Sequence, residues 1–299
     1  VADWGRKMLY WMNTLATDVR TSCGLASSRQ QEAPAVAGAS EVDAPVHARC
    51  SHLNGTLWVM ASQRAVQALA GPARLTPYAE AASGDISKAT DLYIWAGHLA
   101  GALHSTISFV EVAVRNSLNA QLIEWNAAQP GPYGRDWALT TRTAPLLYGL
   151  IGAKRLKFAR ESAEKESYRR PRDHPRRRAA VTNDDVVAQL MLGAWVNLVS
   201  PISGTPARQQ QLWRETLWAA FPGVDRSDAG RRKVGSQLAR IRNLRNRVAH
   251  HDNLLGVEVD HRLNDMLAVL RTIDDRFPEL AMARSQVRTV LREDPRRSW

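Results

Sequence analysis

The 299-residue chain carries 40 Lys or Arg against 29 Asp or Glu, a formal net charge of +11 with a pI near 10.2. Its length and 44% hydrophobic content suit one large or two medium folded domains, and the charge favours an anionic partner, nucleic acid or an acidic membrane surface, over a neutral one. Two cysteines, Cys23 and Cys50, are too few for a disulfide scaffold or a four-cysteine zinc site.

No run approaches the roughly 20 apolar residues of a membrane span. MLYWMNTL at residues 8–15 is too short and too polar for a secretory signal. The expectation is a soluble, cytoplasmic protein without membrane attachment.

Residues 1–66 read as a disordered or weakly structured N-terminal arm. Ser27 to Ala48 is made of small and polar residues with two prolines, no period and almost no large apolar side chain. The arm holds six basic and five acidic residues, so the remaining +10 belongs to residues 67–299. A first structured element is expected only near residue 57.

Beyond the arm the chain reads as helices. Trp95, Leu99, Leu103, Ile107, Val110, Val114, Leu118, Leu122 and Trp125 recur every three or four residues, the buried stripe of one long helix. Gly97 and Gly101 are candidate bend points in its first half.

Further helices are expected at about 144–166 and 184–199, the latter after the cap-like Thr182-Asn183 with Asp184 and Asp185 in its first turn. Others follow at about 207–221, after Ser227-Asp228, and at about 259–277 and 279–292. Residues 293–299 form a C-terminal tail. No alternating strand pattern is found, so the fold class is all-α. Between residues 154 and 178 lie eleven basic against four acidic residues, with Pro171 and Pro175 interrupting. This stretch reads as a solvated, mobile loop ahead of a dedicated RNA contact, though either would attract phosphates at low salt.

The segment RIRNLRNRVAHHDN at 240–253 is the most unusual in the chain. The apolar stripe runs Val234, Leu238, Ile241, Arg245, Val248, so a guanidinium stands where the pattern calls for a hydrophobe. Such a group must be paired with an anion, exposed at an edge or aimed at an interface, since an unpaired buried charge costs several kcal/mol. On the neighbouring stripe Arg242, Asn246 and His250 fall at i, i+4 and i+8 and share a face as long as the helix persists.

A cation, an amide and an imidazole together suit cleavage of an RNA phosphodiester. Histidine, with a pKa near 6.5, can take a proton from a 2′-hydroxyl or give one to the leaving oxygen, while arginine holds the phosphate through paired hydrogen bonds. One helix supplies one such histidine, whereas in-line attack wants a base and an acid, and a two-fold dimer would supply both. By local chemistry alone the pattern describes a basic surface with a satisfied histidine more often than a catalytic centre. Adjacent His250 and His251 point apart on a helix, which disfavours a metal site.

With RNLRNRVAHHDNLL at 242–255, ISFVEVAVRNSLNAQL at 107–122, and the intervening TNDDVVAQLMLGAWVNLVSP and LWRETLWAAFPG, the sequence resembles the Abi-like (abortive infection) family of bacterial HEPN-domain proteins. The resemblance covers roughly residues 68–292, and the implied domain is 67–292. It implies a HEPN-like helical bundle with a long N-terminal bundle helix. It also implies a metal-independent endoribonuclease centre, without cofactor, at a homodimer interface. Arg245 then matches the motif arginine, Asn246 the polar residue after it and His250 the motif histidine, with Arg242, Arg247 and His251 as RNA-binding or supporting groups.

Glu111, Arg115 and Asn116 match the family's second segment. Glu111 and Arg115 are spaced to pair with each other; alternatively Glu111 approaches Arg245 and holds its guanidinium. The family further implies a toxin or phage-defence role restrained by an antitoxin, protein or RNA. Two other readings of the same residues stay open: a non-catalytic helical module that binds RNA or a protein, and a structural dimerisation subunit with a polar interface.

Overall fold

The structure is a computed structural model that describes residues 63–200 and 206–299. Every described residue falls in one compact unit of the chain. Most of the expected N-terminal arm, with Cys23 and Cys50, lies outside the described residues. Its last four residues, 63–66, belong to a helical segment that continues to residue 70, so the expected boundary at 66/67 falls inside an element.

The described residues are all-α, with no strand among them. After α1 (Pro72–Ala81) comes α2 (Ile86–Ala127), 42 residues long and therefore about 60 Å from end to end. Asp85 caps α2, its carboxylate accepting the Lys88 N–H at 3.1 Å. All nine residues of the stripe from Trp95 to Trp125 are buried, and the helix runs through Gly97 and Gly101 without a break. Because that stripe is longer than any one neighbour, α2 acts as a spine against which most of the other elements pack.

Several elements after α2 are shorter than the sequence suggests, and two of the breaks show their cause. The stretch expected at 144–166 forms α3 (Pro145–Ile151) and α4 (Ala153–Arg169), separated by Gly152 at φ 93°, a conformation that favours glycine. The stretch at 184–199 forms α5 (Asn183–Ala188) and α6 (Leu192–Val199), with Met191 extended between them and the Trp195 indole donating to the Leu190 carbonyl at 3.2 Å. A capping box starts α5: Thr182 and Asp185 each accept the other's backbone N–H.

Next come α7 (Pro206–Glu215), a 3₁₀ turn at Leu217–Ala220, and α8 (Asp228–Ala249). The last helices are α9 (Val259–Ile273), which stops where Asp274 turns extended, α10 (Phe277–Met282) and α11 (Val287–Arg292).

Helix α8 carries the unusual segment and is fixed at several points. It packs on α2, α6 and α9. Arg231, in its first turn, is fully buried; its Nε donates to Asp228 at 2.7 Å and its Nη1 reaches the Val199 and Ser200 carbonyls, each at 3.2 Å, at the end of α6. A guanidinium there satisfies carbonyls that the end of α6 leaves without helical donors. Further along, Arg240 grips Asp265 of α9 through two bonds of 2.7 and 2.6 Å, and Arg262 adds a third of 2.8 Å.

The basic stretch, expected as a mobile loop, and the C-terminal tail are both tied down. In the basic stretch, α4 continues to Arg169, and the following turns are held because Arg170 and Arg176 both bind Asp185, at 2.9 and 2.5 Å. Burial works against the charged form of Asp185, yet the Thr182 backbone N–H and hydroxyl and the two guanidiniums hold its carboxyl well below the usual carboxylate range. The C-terminal tail docks on α2: Pro295–Ser298 forms a 3₁₀ turn, Arg296 pairs with Asp294 and lies 5.6 Å from the Trp95 ring, and Lys88 sits 5.4 Å from the Trp299 ring.

Candidate functional site

The site is built where α8 crosses α2. Leu244 and Val248 point into the core, and Arg245 sits on the flank of that face. Its Nε donates to Glu111 Oε1 of α2 at 2.9 Å, and the two side chains are 27% and 29% exposed. The expected approach of Glu111 to Arg245 is therefore present. Arg245 is held through Nε, and both terminal nitrogens lack a partner among the described residues.

Glu111 makes no ion pair with Arg115 within contact distance. Arg115 is half-buried, and burial pushes its guanidinium below its ordinary value, an effect the Glu111 charge opposes. Asn116 is exposed on the next position of α2.

Helix α8 stops one residue before the histidine. His250 is the C-cap, its N–H donating to the Asn246 carbonyl at 2.9 Å. His251 follows with φ 53°, and the His251 and Asp252 N–H groups turn back to the Val248 and Arg247 carbonyls at 3.2 and 2.9 Å. This is the Schellman arrangement, in which a left-handed residue closes the helix and satisfies its last carbonyls. Glycine or asparagine usually fills that place, so His251 spends its backbone on the turn and acts here as a structural stop.

Arg74 of α1 then reaches across 177 positions of sequence to the His251 carbonyl at 2.7 Å, with longer contacts of 3.4 Å to the His250 carbonyl. A cation at a helix C-terminus complements the partial negative charge of its free carbonyls. The backbone of His250 is thus held from both sides, while its imidazole is exposed and has no hydrogen-bond partner among the described residues. Arg247, also exposed, donates to the Asn253 carbonyl at 3.1 Å and so braces the same turn.

Comparison with protein-family models finds no match for this chain, and comparison with curated proteins and with solved structures finds none either.

Geometry alone must therefore carry the chemistry. Asn246 and His250 are four residues apart and share an exposed face. Arg242 lies one turn earlier but is half-buried beside Gly193 of α6, where a Cβ on that glycine would sit 3.9 Å from Arg242 Cδ. Arg245 and His250 differ by five residues, which on a regular helix is about 140° around the axis. A single chain thus presents a fixed cation on one flank and an unoccupied imidazole at the helix end. Among the described residues no cluster of three or more His, Cys, Asp or Glu is arranged to hold a metal ion, and no helix is long and apolar enough to cross a membrane.

Arg74 and Arg231 are what the sequence reading missed. Both bind backbone carbonyls from distant segments, which leave no mark in a side-chain pattern.

Proposed function

We propose that the chain is a metal-independent endoribonuclease of toxin or phage-defence type, cleaving RNA by attack of its own 2′-hydroxyl at a site completed by a second copy of the chain. The observation that carries this reading is the Glu111–Arg245 pair. It fixes a cation on the flank of the apolar stripe through Nε and leaves its terminal nitrogens without a partner among the described residues.

Those two nitrogens match a phosphate edge and would gain strength as negative charge builds on the phosphorane oxygens. His250, with a free ring on a braced backbone, would take the 2′-hydroxyl proton. The same histidine of the second copy would protonate the leaving 5′-oxygen, and Asn246 would orient the phosphate or the ring. No cofactor enters the scheme. The excess of basic side chains would draw RNA to the surface. The role is cytoplasmic, and an antitoxin, protein or RNA, would restrain it.

The test is incubation of the purified chain with labelled single-stranded RNA beside its His250→Ala variant. Cleavage should fall by about 10²-fold or more in the variant, persist in EDTA, and spare DNA of the same sequence. Binding with a steep salt dependence and no product at high protein concentration would instead favour a non-catalytic RNA-binding module using the same basic face.

A further inference from the structure

The basic turn beside α4 shapes a second feature, remote in its elements from the site above: none of the helices that carry Glu111, Arg245 or His250 lines it. It is an open cleft of about 600 Å³ between α4, the loop around Thr140 and the segment 178–186. Its lining combines Leu139, Val181 and Val186 with three arginines, Arg142, Arg160 and Arg178, against one carboxylate, Glu164.

The three guanidiniums have no carboxylate partner among the described residues. Arg160 is half-buried and spends its donors on uncharged oxygens: Nε on the Ala138 carbonyl at 2.7 Å, Nη2 on the Leu139 carbonyl at 2.8 Å and on the Thr143 hydroxyl at 3.3 Å. Burial pushes it below its ordinary value, as expected of a cation lacking an anion. Arg142 reaches only the Pro132 carbonyl, at 3.3 Å, and Arg178 lies 6.0 Å from the centre of the Tyr168 ring.

Tyr168 itself is 64% exposed, a large aromatic ring at the rim whose described neighbour is the Arg178 guanidinium. Arg178 adopts φ 58° and Thr141, next to Arg142, adopts φ 61°, so two of the four non-glycine residues with left-handed backbone among the described residues border this cleft. Strain of that kind persists where surrounding structure fixes it, and here the Arg178 N–H donates to the Ser167 carbonyl at 3.0 Å and the Arg142 N–H to the Leu139 carbonyl at 3.3 Å.

We infer that this cleft binds a nucleoside phosphate, its base stacked on Tyr168 over the apolar floor and its phosphate held by Arg142 and Arg178. Inorganic phosphate would use the arginines and leave the aromatic face and most of the volume idle. A nucleoside without phosphate would leave three cations uncompensated. Glu164 supplies an acceptor for amino groups on a base edge, which an acidic peptide would not offer. The same chemistry is present in a free nucleotide and in one link of an RNA strand, and both use stacking plus phosphate contact.

The experiment is calorimetric titration of the full chain with AMP, adenosine, inorganic phosphate and a deoxyadenosine hexanucleotide, which lacks the 2′-hydroxyl and so stays intact whatever the activity of the Arg245 site. AMP or the hexanucleotide should bind at least about 10-fold more tightly than adenosine or phosphate. Tyr168→Ala should weaken that binding by about 5- to 100-fold, the range that one base–aromatic stack spans. Tyr168→Phe should retain it. Arg178→Gly, which suits the left-handed backbone, should weaken binding and flatten its salt dependence. Circular dichroism should be unchanged in all three variants, because both side chains are exposed. AMP binding as tightly as the hexanucleotide assigns the cleft to a free nucleotide; a hexanucleotide preference that Tyr168→Ala abolishes assigns it to a strand. Equal affinity for phosphate and AMP, or hexanucleotide binding indifferent to Tyr168→Ala and Arg178→Gly with no AMP binding, overturns the assignment.

Discussion

Removing Glu111 tests whether Arg245 is held by a side-chain pair or merely lies near one. The two groups meet at 2.9 Å with 27% and 29% exposure, between the fully buried and the fully exposed cases. At an effective dielectric near 20 the gross attraction of unit charges about 4 Å apart is about 4 kcal/mol, and desolvation of both partners offsets most of it. Exposed pairs are worth up to about 1 kcal/mol, whereas breaking a buried pair costs about 3–5 kcal/mol. A coupling energy of about 1.5 kcal/mol is therefore expected from urea unfolding of the wild type, Glu111→Ala, Arg245→Ala and the double variant.

The same four proteins, assayed for RNA cleavage, separate positioning from stability. Glu111→Ala should lower the rate by about 10- to 100-fold, because a displaced guanidinium loses its alignment with the phosphate. In the Arg245→Ala background the same substitution should cost nothing more. Additive stabilities to within about 0.5 kcal/mol, or a further loss of rate in that background, would refute the argument that Glu111 acts through Arg245.

Two further outcomes follow from other contacts. Arg74→Ala removes the guanidinium from the His250 and His251 carbonyls, so cleavage should fall several-fold while stability drops by only about 1 kcal/mol; an unchanged rate beside that modest loss would detach Arg74 from the site. The Asp185 carboxyl lies lower in the folded than in the unfolded chain, where it titrates near about 3.9. Its contribution to stability is therefore complete above that value and is lost as pH falls towards the lowered folded value. Asp185→Asn should be less stable than wild type at pH 6 and should lose less between pH 4 and pH 3 (about the start of that window), measured by urea midpoints; parallel profiles would contradict the assignment.

The long helix is legible because nine apolar positions recur at helical spacing, Trp95 to Trp125, which no strand or loop imitates. The break between α5 and α6 leaves no mark in the sequence: Met191 carries no turn signal of its own, and the Trp195 indole reaches the Leu190 carbonyl at the break. The break between α3 and α4 does carry a sequence signal, Gly152, which adopts φ 93°. Arg245 stood out because it interrupted an apolar stripe, and a broken pattern points to its own exception. Arg231 was hidden for the opposite reason. It sits in the run Arg231-Arg232-Lys233, which looks like a solvated face, yet it alone of the three is fully buried.

The end of α8 treats the two key side chains in opposite ways. Arg245 is immobilised by its side chain, through one nitrogen, with the rest of the fork left open. His250 is immobilised by its backbone, through the Schellman turn and Arg74, with the ring left open. Under the proposed reaction that division is the useful one. A group that stabilises developing charge works by being fixed in advance, whereas a group that moves protons needs orientation together with access to the 2′-hydroxyl. The separation of about 140° around the helix means that one phosphate bridged by both groups must approach over the helix end, between α8 and whatever lies beyond it. At that end the His250 ring is exposed among the described residues. A second α8 laid across it would bring the other imidazole to the far side of the phosphorus, which is where in-line attack requires the acid.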